Sequence, residues 1–242
     1  MLRLVPTGPN FGTDFESAAS AVPPLGPGRN IHAAGCPGPP ISFLGIRTRS
    51  VAVPAQPPRG LHPWHDFPTG PRPPDELTAV IEIPTNERNK YELDKTLGVY
   101  RLDRVLHSAV HYPGDYGFLP RTLGEDDDPL DILVLMTIPV FTGCLVDVRP
   151  VGLFHLVDRG IADEKVLAVA LGDPYADELE ELDDIPPHYL KEIEHFFQVY
   201  KDLEGTRTET RGFEGGGAAR EAVVRAMKSY EAKFRSRSDR SP

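Results

Sequence analysis

Glu125-Asp126-Asp127-Asp128-Pro129-Leu130-Asp131 runs straight into Ile132-Leu133-Val134-Leu135-Met136. Five acids in seven residues stand at the mouth of an apolar strand. Asp126 and Asp128 are two apart, so in an extended backbone they point to the same side. Pro129 biases Asp128 away from helix and toward that extended conformation. Asp131 opens a run too apolar for a surface strand. Carboxylates about 4 Å apart repel by roughly 4 kcal/mol at an effective dielectric near 20. A fold holds such a group only if some acids stay protonated or cations sit among them. Hard oxygen donors so arranged suit Mg²⁺, Mn²⁺ or Ca²⁺. The ordinary reading of an acidic run is a solvated loop. A calcium loop of EF-hand type does not fit: counting from Asp126, the sixth position is Asp131 rather than Gly and the twelfth is Thr137 rather than Glu.

Composition narrows what surrounds this stretch. The chain of 242 residues has room for one good-sized domain or two small ones. Its formal charge of −10 argues against a nucleic-acid surface, which needs a basic footprint. An anionic substrate stays open, because bound metals invert the local field. Cys36 and Cys144 lie far apart in unlike contexts, so neither a disulfide framework nor a zinc site is expected. No stretch is long and apolar enough to span a membrane, and no continuous apolar run follows Arg3 as a secretory signal requires. A cytoplasmic protein with no membrane partner is the expectation.

Residues 1–60 are rich in Pro, Gly, Ala and Ser and contain no Lys. Segments such as Pro23-Pro24-Leu25-Gly26-Pro27-Gly28 cannot hold regular helix or central strand. A disordered extension is expected there: a tail, a weak targeting segment or the product of an upstream start codon. A single domain is expected over 61–236, followed by a disordered tail at 237–242. Within the domain, 77–84, 90–94, 99–104, 131–136, 144–154 and 165–171 read as strands. Short strands with turn signals between them suggest a closed or nearly closed barrel. After Pro186-Pro187 the period changes. Tyr189, Leu190, Ile193, Phe196, Phe197, Tyr200 and Leu203 fall on one helical face, and Ala222, Val223, Ala226, Met227, Tyr230 and Phe234 on a second. The class is therefore α+β.

Several residues break their local pattern. Glu82 interrupts the apolar run Val80-Ile81-Glu82-Ile83, and Lys90 and Glu92 share one strand face. Arg104 follows Asp103 near a strand end, while Tyr112 and Tyr116 flank Pro113-Gly114. Asp158, Asp163 and Lys165 cluster after Val151-Gly152-Leu153-Phe154, and Tyr200-Lys201 closes the first helix. Taken singly, each has a plain reading as an edge acid, a surface pair or a core tyrosine with a satisfied hydroxyl.

Taken in order they resemble one family. Glu82-Ile83-Pro84, Lys90-Tyr91-Glu92, Asp103-Arg104, Tyr112-Pro113-Gly114-Asp115-Tyr116-Gly117, Arg149-Pro150-Val151-Gly152, Asp158 with Asp163 and Lys165, and Phe196-Phe197 with Tyr200-Lys201 flank the acidic stretch. Asp126-Asp127-Asp128-Pro129-Leu130-Asp131 fits the signature D-[SGDN]-D-[PE]-[LIVMF]-D. The chain is similar, over roughly residues 62–235, to soluble inorganic pyrophosphatase of family I. The resemblance implies a five-stranded OB-like β-barrel with flanking C-terminal helices. It implies hydrolysis of inorganic diphosphate to two orthophosphates, with Mg²⁺ required and Mn²⁺ or Zn²⁺ as substitutes. By motif, Asp126, Asp131 and Asp163 match the principal metal ligands, and Asp158 and Glu82 match acids at or near the metals. Lys90, Arg104, Tyr116, Lys165, Tyr200 and Lys201 match groups that contact phosphate. Asp128 matches the acid that takes a proton from the attacking water. Relatives often carry an acid where Arg159 stands, which alters the local charge. A homo-oligomer is implied, a hexamer if the source is bacterial.

The physics runs the same way. A metal bridging carboxylates and phosphate oxygens cancels the charge that repels an attacking hydroxide, and paired metals acidify a shared water. Lysines act as point charges on the phosphates, and arginine adds a bidentate fork. A non-enzymatic OB module would need a basic groove with stacking aromatics, whereas the aromatics here are interleaved with acids. A purely structural cation site leaves Lys90, Arg104, Lys165 and Lys201 unexplained. A nucleotide or polyphosphate hydrolase shares the chemistry, but no Walker-type glycine loop is present.

Overall fold

A computed structural model describes residues 60–238, which lie within one compact unit, Pro54–Pro242. The extension expected at 1–60 falls almost wholly outside the described residues, as do 239–242 of the expected tail.

The strands are β1 (Leu77–Ile83), β2 (Asn89–Asp94), β3 (Val99–Val105), β4 (Asp115–Phe118), β5 (Asp131–Leu135), β6 (Leu145–Asp158), β7 (Ile161–Ala162), β8 (Lys165–Ala170) and β9 (Thr208–Gly215). The helices are α1 (Pro187–Val199) and α2 (Gly216–Ser238). All seven residues of β1 and all six of β8 are buried, as expected for β-branched and aliphatic runs covered on both faces. The pairings form a circuit: β1 joins β4, β4 joins β5, β5 joins β8, β8 joins β6, and β6 returns to β1. These five strands make a ring, antiparallel except for β5–β8. The fold is α+β with a mixed sheet. β6 serves several partners because it is 14 residues long; its register slips between Pro150 and Gly152, where proline cannot donate to a ladder.

Outside the ring, β2 and β3 form a separate hairpin, while β7 and β9 extend the sheet from β6. β4 and β9, like the two-residue β7, were not among the expected strands. β4 is only four residues long, and β9 alternates partly exposed polar side chains, so neither shows the apolar run of a core strand.

Pro186 and Pro187 start α1, where a missing N–H costs nothing. Ile193, Phe196 and Phe197 pack against Tyr112, Leu133 and Phe154. Leu203 departs from the expected face: α1 ends at Val199, and Leu203 sits in the short 3₁₀ turn Asp202–Glu204 with 70% exposure. α2 lays Ala219, Ala222, Val223 and Ala226 against the other side of the ring, beside Leu77, Ile132 and Val166. Each large apolar side chain so buried contributes about 1.5–3 kcal/mol. Further along α2, Tyr230 and Phe234 meet Trp64, whose indole N–H donates to Thr122 O at 2.8 Å. Among the described residues no helix is long and apolar enough to cross a membrane.

Candidate active site

The ring brings β1, β4, β5, β8 and the end of β6 to one cleft of about 250 Å³. Glu82, Asp126, Asp128, Asp131, Asp158 and Asp163 all line it. Facing them are Lys90, Lys165 and Lys201, with Tyr116 and Tyr200. Eleven of the twelve expected site residues thus share one cavity. The twelfth, Arg104, is not among the lining residues; it is paired with Lys90 across the β2–β3 hairpin. Its guanidinium is held by Asp103 and by Glu204, the latter at 2.9 Å. Glu92, Tyr91 and Lys95 also line the cleft but were not among the expected residues.

The centre is Lys165. It is 2% exposed, and its ammonium donates to Asp131 Oδ2 at 2.7 Å, to Asp163 Oδ1 at 2.8 Å and to the Tyr116 hydroxyl at 3.1 Å. The parallel β5–β8 pair aligns Asp131 with Lys165, so two strand-opening residues face each other by register. The Tyr116 hydroxyl in turn donates to Asp131. Burial alone would lower the Lys165 pKa, but the Asp131 and Asp163 carboxylates raise it far above the ordinary lysine value. Burial raises the Tyr116 hydroxyl, and Asp131 adds to the effect, so it stays a donor.

The acids are crowded. Glu82, 8% exposed, accepts from Leu93 N at 2.7 Å, which ties the β2–β3 hairpin to β1. Burial first and the neighbouring Asp131 second push its carboxyl up to about 8. Burial also raises Asp126, with Asp163 adding to it, and burial raises Asp163 against the pull of Lys165. Lys201 donates to Asp158 Oδ2 at 2.8 Å, while Asp158 Oδ1 is buried with no partner. Arg159 stands beyond the cleft, exposed in the β6–β7 turn with φ 51°.

The acidic stretch does not take the extended form expected of it. It turns: Asp127 adopts φ 68°, Asp128 N donates to Asp126 Oδ1 at 3.1 Å, and Gly124 N donates to Asp128 O at 2.7 Å. Aspartate side chains favour such turns by bonding backbone two residues on. Asp126 and Asp128 still reach the same cleft, while Asp127 points to Lys233 of α2 at 2.6 Å.

An oxygen-only donor set, with the Glu82, Asp126 and Asp163 carboxyls raised and one Asp158 oxygen orphaned, fits a hard divalent cation. Among the described residues no three His, Cys, Asp or Glu side chains are already gathered as a chelate, since Lys165 stands between Asp131 and Asp163. The carboxylates ring the cleft rather than closing on one point.

Acids facing lysines and tyrosines in a small polar cleft on this fold are the arrangement of a hydrolase acting on a compact phosphorylated anion. Residues 79–231 match the family described as inorganic pyrophosphatase. The chain is 51% identical over 172 residues to an inorganic pyrophosphatase of Haloferax volcanii, covering 71% of this chain and 97% of that one. It is 44% identical over 185 residues to soluble inorganic pyrophosphatase 5 of Arabidopsis thaliana, covering 76% and 82%. The crystal structure of inorganic pyrophosphatase from Thermus thermophilus superposes with a TM-score of 0.68 at 41% identity, over 71% of this chain and 99% of that one. The chain belongs to the inorganic pyrophosphatase family, whose reaction is the hydrolysis of inorganic diphosphate.

Proposed function

We propose that this cleft hydrolyses inorganic diphosphate to two orthophosphates, with Mg²⁺ as the cofactor and Mn²⁺ or Zn²⁺ as substitutes. Asp126, Asp131 and Asp163 would hold the principal metal ions, with Asp158 and Glu82 at or near them. When bound, the metal neutralises charge on the diphosphate and acidifies an attacking water. Asp128 accepts or orients the proton of that water. Lys90, Lys165 and Lys201 hold phosphate oxygens as point charges, and Tyr116 and Tyr200 donate hydroxyl hydrogens to them. Arg104 adds a bidentate fork once it exchanges Asp103 and Glu204 for phosphate. The observation that carries this reading is the convergence of seven acids and four lysines, from distant segments, on one cleft.

The five-strand ring is read as an OB-like barrel, and the protein as a cytoplasmic homo-oligomer, hexameric if bacterial. Ile138, Phe141 and Tyr175 support association, since each large apolar side chain is more than 70% exposed. Light scattering after size exclusion tests this, and a monomer at micromolar concentration would refute it.

The activity is tested by measuring phosphate release from diphosphate, ATP and tripolyphosphate with Mg²⁺ and with Mn²⁺. Diphosphate should be preferred by at least about a hundredfold with Mg²⁺, because the small cleft grips both phosphates. Equal rates on ATP would reassign the protein as a nucleotide hydrolase.

A further inference from the structure

Asp128, the acid proposed to handle the proton, is not fixed by its own loop. The turn anchors its backbone through Gly124 N and Asp126 Oδ1. Its carboxylate is gripped from another element: Lys95, in the turn between β2 and β3, forms an ion pair with Asp128 Oδ1. A lysine in such a turn ordinarily keeps about 2 kcal/mol of rotamer freedom. Here its backbone and its ammonium are each held by a neighbouring ring. Its carbonyl meets His62 Nε2 at 2.9 Å, and its ammonium lies 5.9 Å from the centre of the Trp64 ring. Trp64 is itself locked by its bond to Thr122 O and by Phe234, packed edge-on at 5.5 Å. Leu97 N and Gly98 N both donate to Asp94 O, at 3.2 and 2.7 Å, closing the turn beneath Lys95.

Magnitudes decide what this bracing does. The pair is roughly half exposed, with side-chain exposures of 43% and 48%. Exposed pairs contribute about 0–1 kcal/mol to stability, so the fold gains little from it. A proton acceptor, in contrast, must stand within about 2.6–3.2 Å of its partner, and a 1 Å misplacement costs about a hundredfold. We propose that Lys95, buttressed by His62 and Trp64, is a positioning residue that holds the Asp128 carboxylate toward the attacking water. The segment before β1 and the far part of α2 thereby act on the reaction through one ammonium group.

This inference rests on the role proposed for Asp128, and a double-mutant cycle separates the two. kcat and KM for diphosphate are measured at saturating Mg²⁺ in Lys95→Met, Lys95→Arg, Asp128→Asn and the Lys95→Met/Asp128→Asn double variant. Methionine keeps the stem on Trp64 and deletes the charge. Lys95→Met should lower kcat by about tenfold or more while KM moves less than about twofold, and Lys95→Arg should recover most of the loss. In the Asp128→Asn background the same change should alter kcat by less than about twofold. Loss in Asp128→Asn with none in Lys95→Met overturns the positioning role alone, and so do fully additive losses. Full activity in Asp128→Asn overturns both readings.

Discussion

Asp131 and Lys165 open adjacent parallel strands in register, and their charged ends meet at 2.7 Å. Breaking a buried pair by removing one partner commonly costs about 3–5 kcal/mol, because the other charge is left uncompensated. Lys165 is insured against this, since Asp163 Oδ1 lies 2.8 Å from it on the other side.

Asp131→Ala should therefore keep the fold and lose the reaction. Phosphate release from diphosphate should fall by at least about a hundredfold, as when a group stabilising transition-state charge is removed. The far-UV circular dichroism should be unchanged. In the unmodified protein, Mg²⁺ at about 100 times its dissociation constant should add about 2.7 kcal/mol of stability by mass action. That gain should shrink in the variant, a readout independent of turnover. Full activity in Asp131→Ala would remove it from the proposed metal ligands.

Gly117 is expected to tolerate no side chain. It pairs with Ile81 across β1–β4, and an added Cβ would lie 1.9 Å from Val80 O. Both strands are buried, so neither can retreat without opening the ring. Gly117→Ala should cost at least about 3 kcal/mol in denaturant unfolding. Gly172→Ala, where nothing lies within 4 Å, should stay within about 0.5 kcal/mol.

Asp115 is fully buried and serves two loops at once. Oδ1 accepts from Thr85 N at 2.6 Å and Thr85 Oγ1 at 2.5 Å, while Oδ2 accepts from Val140 N at 2.9 Å. Asp115→Ala leaves these donors unpaired and should cost about 3 kcal/mol. Asp115→Asn keeps one acceptor oxygen and should cost about half as much. Equal midpoints for the two variants in urea would contradict this account.

Asp173 should give the fold a carboxylate-type acid dependence. It accepts from Thr137 N, from Thr137 Oγ1 at 3.0 Å and from Tyr175 N at 3.0 Å. The Thr137 bonds hold its pKa below the usual 3.8. A depressed folded pKa means the contribution is fully present above 3.8 and is lost as pH falls through the lower folded value. Asp173→Asn should thus lower Tm at pH 7, and the gap to the unmodified protein should close below pH 3.8. A gap that is constant from pH 7 down to pH 2 would show that the charge has no part in it.

Much of this was legible from residue order, for reasons that differ by element. β1, β5 and β8 announce themselves because strands covered on both faces need unbroken apolar runs. β4 is hidden because ring closure, not local pattern, extends its four residues. Glu82 was visible as a violation of pattern, and its burial explains why such a violation is informative. The acidic loop yielded the correct facing of Asp126 and Asp128 from an incorrect backbone, since the positive φ of Asp127 replaces strand alternation. Lys95 was invisible: Asp94-Lys95-Thr96-Leu97-Gly98 reads as any polar turn, and its significance arises only from Trp64 and Asp128, distant in sequence.

The single parallel pairing in the ring also bears on how quickly the protein becomes competent. Asp131 and Lys165 are 34 positions apart, and the closing bond from Thr78 to Asp147 spans 69. High contact order slows folding, because loop-closure entropy is spent before distant strands reward it. Turnover then serves as a clock for the final long-range contacts: a refolding chain should recover its helices first and diphosphate hydrolysis last. Activity that returned ahead of native tryptophan fluorescence would stop that clock.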